Sequence, residues 1–190
     1  MHPAIFNLNG RVTIQFSTLA NNVVDGSNGI AGFGTGDATI FSLAYGNKIE
    51  DGTASNATLT IQDSIITGTT ASNGAGNNDV VSNVATGNQV NNTTLTFGDA
   101  NLVGSSSGSS SGTVPLTTAP NLGSLGNYGG PTPTRMPNPG SPAIDTTTCT
   151  NAPLTDQRGV ARPQGTSCDI GAVERQANED TIFLDGFEGY

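Results

Sequence analysis

At 190 residues the chain is the size of one domain, or of one domain with a tail. Apolar residues make up 34%, aromatics 5% and charged residues 11%, so low hydrophobicity is not accompanied by the high charge of ordinary disorder. The net charge of −9 rests on six cations, Arg11, Lys48, Arg135, Arg158, Arg162 and Arg175, which excludes the clustered Lys and Arg that nucleic-acid phosphates require.

Gly, Asn, Ser and Thr dominate the remainder, and they favour turns and caps over long helices. The expectation is an all-β chain with many tight turns and a thin core. No apolar run reaches the ~18 residues that a transmembrane helix needs. Met1-His2-Pro3-Ala4 lacks both the basic start and the apolar stretch of a secretory signal. A strand pattern is under way by Val12, so the chain reads as a fragment whose true start, with any export signal, lies upstream.

Thr13-Ile14-Gln15-Phe16-Ser17-Thr18-Leu19 returns as Thr60-Ile61-Gln62-Asp63-Ser64-Ile65-Ile66, and more loosely as Thr96-Phe97-Gly98-Asp99-Ala100-Asn101-Leu102. Thr39-Ile40-Phe41-Ser42-Leu43 lies between the first two. The starts at 13, 39 and 60 are therefore 26 and 21 residues apart, with an insertion before 96. Each unit alternates apolar and polar residues, the mark of a strand with one buried face.

Short strands at this spacing predict a right-handed parallel β-helix, a solenoid whose coils occupy residues 1–112. Ile14, Ile40, Ile61 and Phe97 are expected to form one inward ladder, with Phe16, Ser42 or Asp63 beside it. A flat sandwich would need turns every ~8–12 residues, and that spacing is absent. Residues 71–92 offer only Val80, Val81, Val84 and Val90 for burial and read as a lateral strand and a loop. The Gly-Ser run over 104–112 reads as a flexible surface loop.

From Val114 the character changes: nine of the ten prolines and four of the six cations lie beyond it. Proline withholds a ladder donor, so 113–174 reads as an irregular Pro/Gly-rich C-terminal cap that blunts the open end of the solenoid. Cys149 and Cys168 are separated by 18 residues with no nearby His, which disfavours a metal or redox pair and favours a disulfide stapling the cap. A disulfide implies an oxidising compartment. Asp156, Arg158, Arg162, Asp169 and Glu174 put both signs in a short stretch. They read as ion pairs and backbone hydrogen bonds that tie this stretch together.

Asp63 and Asp99 follow the inward Ile61 and Phe97 at matching positions. On adjacent coils they could form a carboxylate column that takes Ca²⁺ or serves as an acid–base pair for glycoside chemistry. Phe16 occupies that column elsewhere, and the repeats offer only Arg11 and Lys48 as bases, so solvated strand carboxylates are the favoured reading. Gly32–Asp37 is similar in letters to a Ca²⁺-binding nonapeptide but occurs once, as a turn. His2 has no partner in sequence for nucleophile activation or zinc. Gly108-Ser109-Ser110-Ser111-Gly112 matches a nucleophile elbow in letters only.

Several ordered motifs carry a resemblance: Pro120-Asn121-Leu122-Gly123-Ser124-Leu125-Gly126-Asn127-Tyr128-Gly129-Gly130-Pro131-Thr132-Pro133-Thr134, then Gly140-Ser141-Pro142-Ala143-Ile144-Asp145, then Asp156-Gln157-Arg158-Gly159-Val160-Ala161-Arg162-Pro163, and Cys168-Asp169-Ile170-Gly171-Ala172-Val173-Glu174. This string resembles the C-terminal part of bacterial surface β-helix proteins of the choice-of-anchor Q type, also described as polymorphic-outer-membrane-protein-like. Residues 175–190 form an acidic tail. Its Thr181–Glu188 stretch resembles a short sorting tag of exported proteins. The resemblance implies a secreted or cell-surface module, monomeric, adhesin-like or structural, facing a carbohydrate or host-surface ligand. It does not imply a known enzymatic activity. The alternative is a fragment of a carbohydrate-active β-helix enzyme, a polysaccharide lyase or glycoside hydrolase.

Overall fold

The structure is a computed structural model that describes residues 3–24, 38–46, 54–72, 78–86 and 91–176. The first stretch folds as four short strands, β1 (Ile5–Leu8), β2 (Arg11–Gln15), β3 (Thr18–Ala20) and β4 (Val23–Val24). Two residues separate each from the next, and each corner holds a left-handed residue: Asn9 (φ 54°), Phe16 (φ 43°) and Asn21 (φ 57°). Asn tolerates this conformation through its short polar side chain, whereas Phe rarely adopts it.

The chain then repeats the pattern. β5 (Ala38–Gly46), β6 (Asn56–Gln62), β7 (Ile65–Thr67) and β8 (Thr70–Ala71) form a second pass. β9 (Asn78–Thr86), β10 (Asn92–Gly98) and β11 (Leu102–Val103) form a third, and β12 (Ser106–Ser107) and β13 (Ser110–Gly112) a fourth. Corresponding strands pair in four open sheets: β1-β5-β9-β12, β2-β6-β10-β13, β3-β7-β11 and β4-β8, here A to D. Every strand pair is parallel, and the described residues contain no helix.

The step between the first three passes is larger than the repeat arithmetic predicts. Gln15 and its partner Gln62 are 47 residues apart, and Ser55 and Asn91 are 36 apart. Thr13, Thr60 and Thr96 are true partners across sheet B. Thr39–Leu43 instead belongs to sheet A, where Ile40 pairs with Ile5 and Val80. Ile40 therefore faces Ile14, Ile61 and Phe97 across the core rather than extending their ladder. Every wall of such a stack needs the same alternation, so the apolar pattern alone does not say which wall a strand joins.

Period-two alternation aims Ile14, Leu59, Ile61, Leu95 and Phe97 inward from sheet B, against Ile40 and Val80 of sheet A and Ile66 and Val103 of sheet C. Each fully buried aliphatic side chain contributes about 1.5–3 kcal/mol. Polar side chains satisfy the corners. The Asn101 amide donates to the Ile61 and Gly98 carbonyls at 3.2 and 2.7 Å while its oxygen accepts from Ser64 N. Buried Asp79 accepts from the Thr69 amide and hydroxyl, and the Thr69 hydroxyl meets that of Thr39 at 2.6 Å.

Two segments differ from the sequence expectation. The Gly-Ser run is not a loop: β12 pairs with Val80–Val81 and β13 with Leu95–Phe97. Its serines from Ser106 on are exposed, but the backbone ladder needs no side chain to continue. Its glycines have a steric role, because Gly108 (φ 102°) and Gly112 (φ 89°) sit where a Cβ would strike the Ser82 and Phe97 carbonyls. Small side chains leave a depression of about 260 Å³ over Phe97 and Val103.

The C-terminal segment does not simply plug the end of the stack; it lies along its side. Ala143 and Ile170 pack on Ile65 and Leu102, the outward residues of sheet C. Gly171 N donates to Asp63 O at 2.8 Å, and Ala172 N to the Thr18 hydroxyl at 3.0 Å. Only isolated bridges occur within it, among them Leu122 with Pro137 and Thr147 with Cys168.

Candidate functional site

The alternation that fills the core also decorates the outside of sheet B. Arg11, Thr13 and Gln15 of β2 point outward, as do Thr58, Thr60 and Gln62 of β6 and Thr94 and Thr96 of β10. The register aligns them in straight rows: Arg11–Thr58–Thr94, Thr13–Thr60–Thr96–Ser111, and Gln15–Gln62–Gly98. Successive members of a row are ~4.8 Å apart and neighbouring rows ~6.6 Å apart. Arg11 is the single charge among them.

Amide and hydroxyl contacts run along the rows. Gln15 Nε2 donates to Gln62 Oε1 at 2.6 Å, and the Thr96 and Ser111 hydroxyls meet at 3.3 Å. The hydroxyls of Thr13, Thr58, Thr60 and Thr94 make no hydrogen bond among the described residues. Hydroxyls elsewhere, such as those of Ser64, Ser141 and Thr146, bond to backbone carbonyls. The face therefore presents spare donors and acceptors on a rigid ladder. Sequence reasoning did not single it out, although the repeated Thr-Leu-Thr at 58–60 and 94–96 marks its register.

The carboxylates singled out from the sequence lie at the adjacent corner. Phe16, Asp63 and Asp99 each follow the last strand residue of sheet B, with φ of 43°, 49° and 42°. Ser42 is absent from this column; it pairs with Asn7, whose amide donates to its hydroxyl at 2.9 Å, and with Ser82. Asp63 is buried and accepts the Thr147 hydroxyl on Oδ1. Burial pushes its carboxyl up, the Thr147 bond opposes this, and Asp99 adds to the rise. Asp99 is exposed and accepts from Thr148 at 3.4 Å, so the C-terminal segment lies over both.

The remaining charged residues converge on one another. Arg162 Nη1 meets Glu174 Oε2 at 2.7 Å with both side chains 1% exposed. Glu174 also accepts from Gln164 N and Asp169 N, each at 3.0 Å. Arg162 donates further to the Asp169 and Gly171 carbonyls. Arg158 pairs with Asp156 at 2.9 Å and reaches the Glu174 carbonyl. Burial works against the Asp156 charge, but donors on Glu174, Val160 and Arg158 outweigh it and hold this carboxyl below its usual range. Asp169 accepts from Asp145 N and Arg175 N, yet burial, with Glu174 and Asp145 nearby, raises it to about 6. Asp145 in turn accepts from Ser167 N at 3.0 Å. These carboxylates are engaged by backbone donors, the chemistry of a clamp that holds irregular chain in place.

Cys149 and Cys168 are joined in a disulfide with a Cα–Cα distance of 5.3 Å. The bridge lies beside the Thr147–Cys168 pairing and so holds Thr147 near Asp63. Among the described residues no three His, Cys, Asp or Glu side chains are grouped to hold a metal ion. Also among them, no helix is long and apolar enough to cross a membrane. His2, Lys48, Val90, the Gly32–Asp37 turn and the tail from 177 lie outside the described residues. No family model, curated protein or solved structure matches this chain.

Proposed function

We propose that the chain is a right-handed parallel β-helix module of a secreted or bacterial cell-surface protein, adhesin-like or structural, whose working surface is the outer face of sheet B. The support for the winding is the repeated visit to sheets A to D in one order with parallel pairing throughout. Parallel crossovers are right-handed in about 98% of cases, which supports that hand. The observation that carries the functional reading is the in-register row Thr13–Thr60–Thr96–Ser111, an uncharged hydroxyl surface on a chain of net charge −9. A charged chain that keeps one broad face free of carboxylates suits contact with a neutral, hydrated partner such as a carbohydrate. The disulfide supports an oxidising location.

The test is antibody labelling of intact and lysed bacteria that express the native gene. Label on intact cells or in the medium is expected. Label that appears only after lysis would remove the reading.

A further inference from the structure

We infer that the row Thr13–Thr60–Thr96–Ser111, flanked by Thr58 and Thr94, is a track for a neutral, extended β-1,4-linked polysaccharide lying along the stack. This rests on the surface-module reading and names its substrate class. The row is straight because its members are ladder partners in consecutive strands, so a ligand that follows it must itself be straight. Extended β-1,4-linked pyranose ribbons run straight and advance per sugar by slightly more than one ~4.8 Å rung, turning over at each linkage, whereas α-linked glucans curl away from a line. One hydroxyl per rung then faces one sugar.

Charge selects among such polymers. The strands of the face carry Arg11 at one edge and no carboxylate, the exposed Asp99 stands at the corner just past the other edge, and the protein as a whole is at −9, which disfavours polyuronates and favours uncharged glycans. Thr is suited to the task because branching at Cβ restricts χ1, so little rotamer freedom is lost on binding. Four of these hydroxyls have no internal partner among the described residues, which leaves them free to exchange water for sugar hydroxyls. The rows hold no aromatic platform, so each sugar adds little and affinity accumulates with length.

The experiment titrates purified protein with cello-oligosaccharides and N-acetylated chito-oligosaccharides from disaccharide to hexasaccharide, beside the Thr60→Val and Thr96→Val variants. Valine keeps the branched shape and replaces the hydroxyl by a methyl group. The expected result is affinity that climbs to about the tetrasaccharide, one sugar for each strand of sheet B, and then levels. Each variant is expected to weaken tetrasaccharide binding about fivefold, with an unchanged circular-dichroism spectrum. Absence of binding to both series overturns the track, as does binding indifferent to length and to both variants. Either result leaves surface display standing, since cell labelling decides that separately; retention on whole cells without β-1,4-glycan binding also overturns the track alone.

Discussion

The guanidinium of Arg162 lies over the ring of Phe16, 5.0 Å from its centroid, and so joins the C-terminal segment to the first pass of the stack. Phe16 occupies a left-handed corner that Asp takes in the next two passes. A bulky residue is strained there. Its ring nonetheless gives Arg162 a face to cover, an attraction of about 0.5–2 kcal/mol. The same Arg162 neutralises Glu174, so one side chain links corner, clamp and disulfide-bonded segment.

Arg162→Ala is expected to destabilise the protein by about 3–5 kcal/mol, because it leaves the Glu174 carboxylate buried without its partner. Arg162→Ala/Glu174→Gln is expected to recover part of that loss by removing the stranded charge. Urea denaturation checks both. A single-variant loss below about 1 kcal/mol would show that the pair is solvated.

Asp63→Asn is expected to stay within about 0.5 kcal/mol of the parent, since Asn accepts the Thr147 hydroxyl, tolerates the φ of 49° and carries no charge to bury. Asp63→Ala is expected to lose about 1–3 kcal/mol, through the stranded Thr147 hydroxyl and the left-handed backbone. Thermal melts of the two variants side by side decide this.

Asp169 makes stability depend on pH in a defined direction. Its folded-state value of about 6 lies above the usual 3.8, so the folded protein holds this proton more tightly than the unfolded chain. Its contribution favours folding below that window, falls as pH rises from about 4 to about 6, and is level above. The change is on the order of 2–3 kcal/mol, and Asp169→Asn is expected to flatten it. Asp156 acts in the opposite sense, its contribution being lost as pH falls below the usual carboxylate range. Carboxyl ¹³C titration of Asp169 with a midpoint near 4 would refute the first expectation.

Reduction of the Cys149–Cys168 bond is expected to cost about 3 kcal/mol, as for a closed loop of this length. Because the bridge holds Thr147 against Asp63, hydrogen exchange should quicken at Cys168 N, which bonds Thr147 O, before it quickens in sheet B. Simultaneous loss of protection in both would mean that the C-terminal segment and the stack open as one unit.

The alternation over Thr13–Gln15, Thr60–Gln62 and Thr96–Gly98 was enough to set three strands in their observed register, because period-two burial is a local property of the chain. Past the corner the same alignment slips by one residue: it sets Leu102 beside Ile66, whereas Leu102 pairs with Ile65. The same alternation misplaced Ile40 and Ser42, since every wall of the stack shares it. The Gly-Ser run read as a loop because its side chains bury nothing, yet its amides and carbonyls continue the ladder. Glu174 gave no local sign of complete burial; a carboxylate is tolerated there only because Arg162 and two backbone amides converge from elsewhere in the chain.

Composition and periodicity alone determined an all-β chain, strands with one apolar face, and a proline-rich region without regular strands, because each follows from backbone geometry over a few residues; a single parallel bridge from Leu116 to Leu102 is all that this region adds to the ladder of sheet C. Tertiary structure decided the rest: which wall each strand joins, that the C-terminal segment lies along the stack, and that Thr13, Thr60 and Thr96 form one straight row. Those outcomes depend on residues 36 or 47 apart meeting on neighbouring rungs, and only the folded chain sets that distance.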